Sequence, residues 1–515
     1  MNEIKITLQL HNEERDIFCK KGMSLYYAIM KAGIPVNAYC AGKGICGGCK
    51  IRLLEGELEI TEWDEHFFSQ KELQEGYRLA CKAFPEADCI ITMETEKQMQ
   101  ILSHQEETVD EIKQNVNEPL AIAIDLGTTT IVYQLISATT GAVYNTVSTQ
   151  NCLRVYGADV MSRMETSVSG KREEISAVLK KQLGQDVQEL LRDYQTVEVS
   201  KIGLCANTAM IHLLMGYSCE KLCKYPFEPV TLETIKCNCS ELGIYIKNRN
   251  AMVEIMPGIS GYVGGDVLMG IAWLGLLQEK EPVMLLDLGT NGEMALYDGE
   301  GKIYVTSVPA GPAFEGGNIS CGMGSVKGAI CMLNITDKEI CYQTIMDGEP
   351  KGICGSGVIE LVYELRKAGL ADDTGLLCDE IFEKGFELVK KGNEHIFFWQ
   401  KDMREFQMAK AAVAAAFDIL IQKAGLQAGD LQKVYLAGGF GYYLNIEKAS
   451  KIGMFSAVSK EYVKTAGNTA LAGLKACLTG KISANTLSAI KNCTTEVYLS
   501  NEKEFEGLYL SHMGL

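Results

Sequence analysis

LAIAIDLGTTTIVYQLI, residues 120–136, returns later in the chain as PVMLLDLGTNGEMALYD, residues 282–298. Each copy is an apolar run, then Asp-Leu-Gly-Thr, then a second apolar run. The pattern predicts a buried strand, a tight turn and a second strand. The copies pair Asp125 with Asp287, Gly127 with Gly289 and Thr128 with Thr290. Repetition on this scale predicts two related halves within one fold. EEISAVLKKQLGQDVQELLRDY (173–194) and MAKAAVAAAFDILIQKAG (408–425) carry helical periodicity among strand-like runs, which is the texture of an α/β fold.

A turn of glycine and threonine between strands offers backbone amides and hydroxyls to a phosphate. An aspartate closing the preceding strand can hold Mg2+ through water. Asp125 with Gly127, Thr128 and Thr129, facing Asp287 with Gly289, Thr290 and Asn291, would clamp a triphosphate from two sides. Two ordinary hairpins are the plain alternative, and the duplication argues against it. KVYLAGGFGYYLN (433–445) then predicts a strand followed by Gly438, Gly439 and Gly441, whose bare backbone around Phe440 admits a flat base or ribose. GYVGGDV (261–267) sets Asp266 after two glycines, and Glu293 follows the second turn; either could orient water or Mg2+. GPAFEGG (311–317) and GICGSGVIEL (352–361) are further glycine-rich stretches, the latter placing Gly355 at a predicted helix start. No G-x4-G-K-[ST] sequence occurs.

CAGKGICGGCK, residues 40–50, poses a separate problem. Cys40, Cys46 and Cys49 have the spacing C-x5-C-x2-C, and Cys81 follows in RLAC. Four thiolates are the usual complement of a [2Fe–2S] cluster, and glycines let a loop bend around it with amides aimed at sulfur. Zinc sites more often show two C-x2-C pairs, and only one is present. Cys19 and Cys89 read as packing residues; Cys219, Cys223, Cys237 and Cys239 match no common metal spacing. His212, in NTAMIHLLMG, reads as a packed or capped histidine.

The chain has 515 residues, enough for several domains, with 47% hydrophobic and 22% charged residues. A net charge of −17 without a basic block argues against nucleic acid. The absence of a long apolar run, and of a secretory pattern in MNEIKITLQL, argues for a cytoplasmic protein with no membrane partner. Nineteen cysteines then imply mostly reduced thiols. Three units are expected: a small domain over 1–94, a polar linker over 95–118 and a large domain over 119–515.

Residues 1–94 resemble a [2Fe–2S] ferredoxin of the β-grasp fold, in the adrenodoxin-like spacing. Residues 119–515 resemble the acetate kinase, sugar kinase, heat-shock ATPase and actin superfamily. That resemblance makes DLGTTT and DLGTNGE the phosphate motifs and AGGFG the adenosine motif, with ATP and Mg2+ as ligands. The two joined resemble the reductive activators of corrinoid proteins, with GPAFEG, GICGSG and LAGGFG similar to that family's actin-like domain. The resemblance implies ATP-dependent return of inactive Co(II) to Co(I) on a partner corrinoid protein of a methyltransferase system. It also implies an upstream electron donor and a homodimer. Some members of that family have a middle domain after the linker, and little room for one is expected here. The alternatives are an ATP-dependent activator of another iron–sulfur enzyme, such as a radical dehydratase, and a redox-sensing nucleotide-dependent module.

Overall fold

A computed structural model describes residues 3–10, 13–32, 34, 36, 42, 44, 49–93, 118–194, 197–336, 339–391, 394–438, 444–455, 458 and 460–515. The expected linker therefore lies outside the described residues except for Glu118, whose carboxylate accepts from Ser137 Oγ and from Tyr144 Oη, the latter at 2.5 Å.

The N-terminal unit is one five-stranded mixed sheet. Its strands run in the order Glu13–Lys20, Glu3–Leu10, Cys89–Thr92, Lys50–Glu55, Tyr77–Leu79. Glu3–Leu10 and Cys89–Thr92 are its parallel pair, and its other pairings are antiparallel. Helix Leu25–Lys31 starts where Ser24 Oγ accepts from Tyr27 N, and its apolar face closes a core with Ile6, Leu8, Ile51 and Ile91. This is the expected β-grasp ferredoxin fold.

The rest is built twice on one plan. In the first half Val143–Gln150, Thr130–Ser137, Leu120–Leu126, Val199–Cys205 and Met252–Ile255 are neighbours in that order. In the second the matching series is Ile303–Val308, Gly292–Tyr297, Val283–Leu288, Lys433–Ala437 and Val463–Gly467. In both, three antiparallel strands join two parallel ones across the strand that ends in the Asp-Leu-Gly-Thr turn. Leu120–Leu126 and Val283–Leu288 are apolar at nearly every position because both sheet faces are covered. The predicted helices are present as Arg172–Leu190 and Gln400–Lys423.

Between the halves, helix Gly265–Leu274 packs on helix Thr469–Leu478. A Cβ on Gly473 would stand 2.2 Å from Met269 O, so only glycine permits this approach. No described helix is long and apolar enough to cross a membrane.

Candidate nucleotide and cluster sites

Strand pairing brings two of the four predicted cluster cysteines together. Lys50 pairs with Leu79, and Ala80 N donates to Cys49 O at 2.8 Å, which sets Cys49 and Cys81 at adjoining strand ends, both buried. Cys40 and Cys46 lie outside the described residues. Gly42 and Gly44 have φ of +84° and +85°, the left-handed backbone that a sharply folded loop requires. A Cβ on Gly42 would meet the Tyr26 ring at 3.2 Å and Cys81 Cβ at 3.8 Å. Two buried thiols at adjoining strand ends, beside glycines of this backbone conformation, fit a [2Fe–2S] cluster.

The two Asp-Leu-Gly-Thr turns face each other and touch. Thr129 Oγ1 and Thr290 Oγ1 are 2.7 Å apart, and both hydroxyls reach Glu315 Oε2, at 3.0 and 2.7 Å. A Cβ on Gly127 would meet Thr130 O at 2.5 Å, so this glycine is needed by the turn itself. Gly289 differs. Its nearest would-be neighbour is Glu315 Oε1 at 3.6 Å, an ordinary contact. Its bare backbone therefore leaves room for a ligand instead of for the protein, as a phosphate cradle would. Asn291 closes the second turn, its carbonyl accepting from Gly289 N at 3.0 Å.

Asp125, Asp266, Asp287 and Glu293 gather in the cleft behind these turns. Burial pushes the Asp125 carboxyl up to about 6, opposed by a hydrogen bond from Asn468. Burial, with the Asp125 charge in support, brings Asp266 to about 7. Asp287 also reaches about 7, through burial and the charges of Asp266, Asp125 and Glu315. Glu293 lies well above the ordinary range, through burial and then Asp266 and Asp287. Carboxylates that penalise one another's ionisation fit a site completed by a hard cation. Among the described residues no three His, Cys, Asp or Glu side chains form a ready metal cage.

Lys433–Ala437 runs parallel beside Val283–Asp287, and this delivers Gly438 to the second turn. Gly438 has φ of +86°, and a Cβ there would lie 2.9 Å from Asp287 Oδ1. Gly439 and Phe440 lie outside the described residues. Gly355 has a packing reason: its Cβ would fall 1.7 Å from Phe314 O. It lets helix Gly355–Lys367 seat the Pro312–Glu315 turn, and with it Glu315.

Sequence reasoning missed two asparagines. Asn207 Oδ1 caps helix Thr208–Met215, and its Nδ2 donates to Thr128 Oγ1 at 3.1 Å. Asn468 Oδ1 caps helix Thr469–Leu478, and its Nδ2 donates to Asp125 Oδ2 at 2.6 Å. Both serve the first turn. The signal was present as a second repeat, Asn-Thr-Ala at 207–209 and 468–470. Glu315 was also missed, inside a stretch noted only for its glycines.

His212 is fully buried; Nε2 accepts from Val230 N at 2.9 Å, so Nδ1 carries the proton towards Thr208 O. It is a neutral packing histidine. Cys19 and Cys89 sit in the ferredoxin core, and Cys219, Cys223, Cys237 and Cys239 in or against the core of the first half.

The family model described as the C-terminal, ASKHA domain of RACo matches residues 281–515, and that of the RACo middle region matches 120–279. A 2Fe-2S iron–sulfur cluster binding domain matches 8–86. The stretch matched as the middle region, 120–279, coincides with the first of the two related halves. The chain is 29% identical over 428 residues to the corrinoid activation enzyme RamQ of Eubacterium limosum, covering 78% of this chain and 72% of the relative. It is 26% identical over 426 residues to the [Co(II) methylated amine-specific corrinoid protein] reductase of Methanosarcina barkeri, covering 76% of each. The solved structure of a reductive activator for corrinoid, iron–sulfur protein shares the fold over 100% of this chain and 98% of its own, with a TM-score of 0.72 at 24% identity. With a ferredoxin module, a middle region and an ASKHA domain in that order, the chain belongs to the RACo family of reductive activators of corrinoid proteins.

Proposed function

We propose that this protein uses ATP to drive one electron from its own [2Fe–2S] cluster onto the Co(II) of a partner corrinoid protein, giving Co(I). The observation that carries the reading is the fusion, in one chain, of an electron-carrier fold with paired phosphate turns across a carboxylate cleft. An electron carrier alone needs no nucleotide, and a kinase alone needs no cluster. Cys40, Cys46, Cys49 and Cys81 are the proposed ligands of the cluster, which supplies one-electron chemistry when bound. A separate reductant must recharge it after each turnover.

In the ATPase unit, the amides and hydroxyls at Gly127–Thr129 and Gly289–Asn291 would bind the phosphates. Asp125 and Asp287, with Asp266 and Glu293, would hold Mg2+ and orient water, and Gly438–Phe440 would flank the adenosine. ATP changes the affinity for the partner, and the partner must change the affinity for ATP by the same factor. We place the functional units at 1–94, 95–118 and 119–515, in a cytoplasmic homodimer. The ferredoxin unit at the N-terminal end of the chain counts against an activator of a radical dehydratase. The test mixes reduced protein, a Co(II) corrinoid protein and Mg-ATP and follows the corrinoid spectrum. Co(I) should appear with ATP and fail to appear with Asp287→Ala; ATP-independent formation at the same rate overturns the reading.

A further inference from the structure

The ferredoxin unit rests on the ATPase unit through a small contact. Tyr27, on the ferredoxin helix Leu25–Lys31, donates its hydroxyl to Glu174 and lies 3.3 Å from Tyr156 Oη. The two tyrosine rings meet edge to face, with centroids 5.9 Å apart. Lys171 Nζ stands 5.4 Å from one ring centre and 5.8 Å from the other. Lys31 Nζ adds a 3.4 Å contact to Glu174. The packing is reciprocal: Tyr27 packs against the core of the first ATPase half, and Val155 against the ferredoxin core.

Residues 151–157, which bear Val155 and Tyr156, are fastened at both ends to the first phosphate turn. Asn151 N donates to Thr129 O at 2.8 Å, and Asn151 Nδ2 to Gly127 O at 2.8 Å. At the far end, the fully buried Arg163 bridges Gly157 O, through Nε at 3.0 Å, and Thr128 O, through Nη1 at 2.7 Å. Three successive carbonyls of the turn are thus tied to the segment that receives the ferredoxin helix. The turn cannot shift without moving that segment. The ferredoxin helix in turn is tied beside Cys81, a proposed cluster ligand: Tyr26 N donates to Ala80 O at 2.9 Å, and the Tyr26 ring abuts Gly42.

We propose that residues 151–157 are a nucleotide-sensing dock for the chain's own ferredoxin unit. The inference rests on the nucleotide reading above. With the Thr129 and Thr290 hydroxyls in contact, the dock holds the helix through Tyr27, Tyr156 and Glu174. Phosphates entering between the turns must part those hydroxyls. The shift passes through Asn151 and Arg163 to 151–157 and releases the ferredoxin unit, so that the cluster can approach a partner.

The test is amide hydrogen exchange on the full-length holoprotein, with and without Mg2+ and a non-hydrolysable ATP analogue, whose binding is measured separately by calorimetry. The analogue should lower protection of residues 25–31 and 152–157 together, several-fold. Tyr27→Phe, which keeps the packing and loses the hydroxyl, should be released without nucleotide. Because release and nucleotide binding are linked, it should also bind the analogue more tightly, up to about tenfold. Its cluster absorption should match the parent's. Analogue that binds while protection of 25–31 stays unchanged or rises overturns the dock and leaves the nucleotide site standing. Analogue that does not bind removes both.

Discussion

Asn468 gives the sharpest handle on the carboxylate cleft, because one side chain performs two separable tasks. Its Oδ1 accepts from Leu471 N at 2.7 Å and caps the helix; its Nδ2 donates to Asp125 Oδ2 at 2.6 Å. Asn468→Ser keeps a capping oxygen and removes the amide. A hydrogen bond to an ionised carboxylate contributes about 1.5–3 kcal/mol, so its loss moves the Asp125 midpoint up by about one to two pH units. Starting from about 6, Asp125 is about nine-tenths ionised at pH 7 in the parent. In Asn468→Ser that falls to between about a half and a tenth. Cation binding needs the ionised form. Mg-nucleotide affinity should therefore be about two- to tenfold weaker at pH 7 and converge with the parent above about pH 9. Asn468→Asp, which caps equally well but sets a second carboxylate against Asp125, should be displaced further in the same direction. The assay is calorimetric titration of Mg-nucleotide between pH 5.5 and 9, with urea midpoints to confirm that the cap holds. An affinity-against-pH curve in Asn468→Ser that overlays the parent's would show that this amide does not set the Asp125 charge.

Asp125→Ala and Asp287→Ala should each weaken Mg-ATP hydrolysis, since each removes a carboxylate proposed to position the metal, and sugars should not be phosphorylated; undiminished hydrolysis in both variants refutes the assignment. Anaerobically purified protein should contain about two irons and two labile sulfides per chain, and Cys46→Ser or Cys81→Ser should damage the cluster; stoichiometric zinc in its place would overturn that reading. Without metal, carboxyls whose folded values are raised to about 6 and 7 favour the fold only while protonated, so thermal stability should fall as pH rises from 5.5 to 8. Mg2+ with nucleotide should offset that fall most at pH 8, and a melting temperature flat across this range counts against the shifts. Gly355→Ala would drive a Cβ into Phe314 O and should lower stability by about 1–3 kcal/mol or more, read from the urea midpoint.

The duplicated Asp-Leu-Gly-Thr phrase was enough, from the sequence, to expect two α/β halves and opposed phosphate turns, because an apolar strand closed by glycine and threonine is a local pattern. The cysteine spacing was legible for the same reason: Cys40, Cys46 and Cys49 come from one loop, whose bends glycine encodes. What the sequence left open depends on distance through space. Asn468 serves Asp125 across more than half the chain, and its only mark was a short Asn-Thr-Ala triplet shared with Asn207. Glu315 joins Thr129 to Thr290 only because Gly355 lets a helix seat its turn under Phe314. The reception of Tyr27 by Tyr156 and Glu174 had no sequence signature, since aromatic and charged surface residues acquire a partner only when two separately folded units meet. Local backbone chemistry is written in adjacent residues; the charge state of Asp125 and the seat of the ferredoxin unit are set by groups that only the tertiary fold brings within hydrogen-bonding reach.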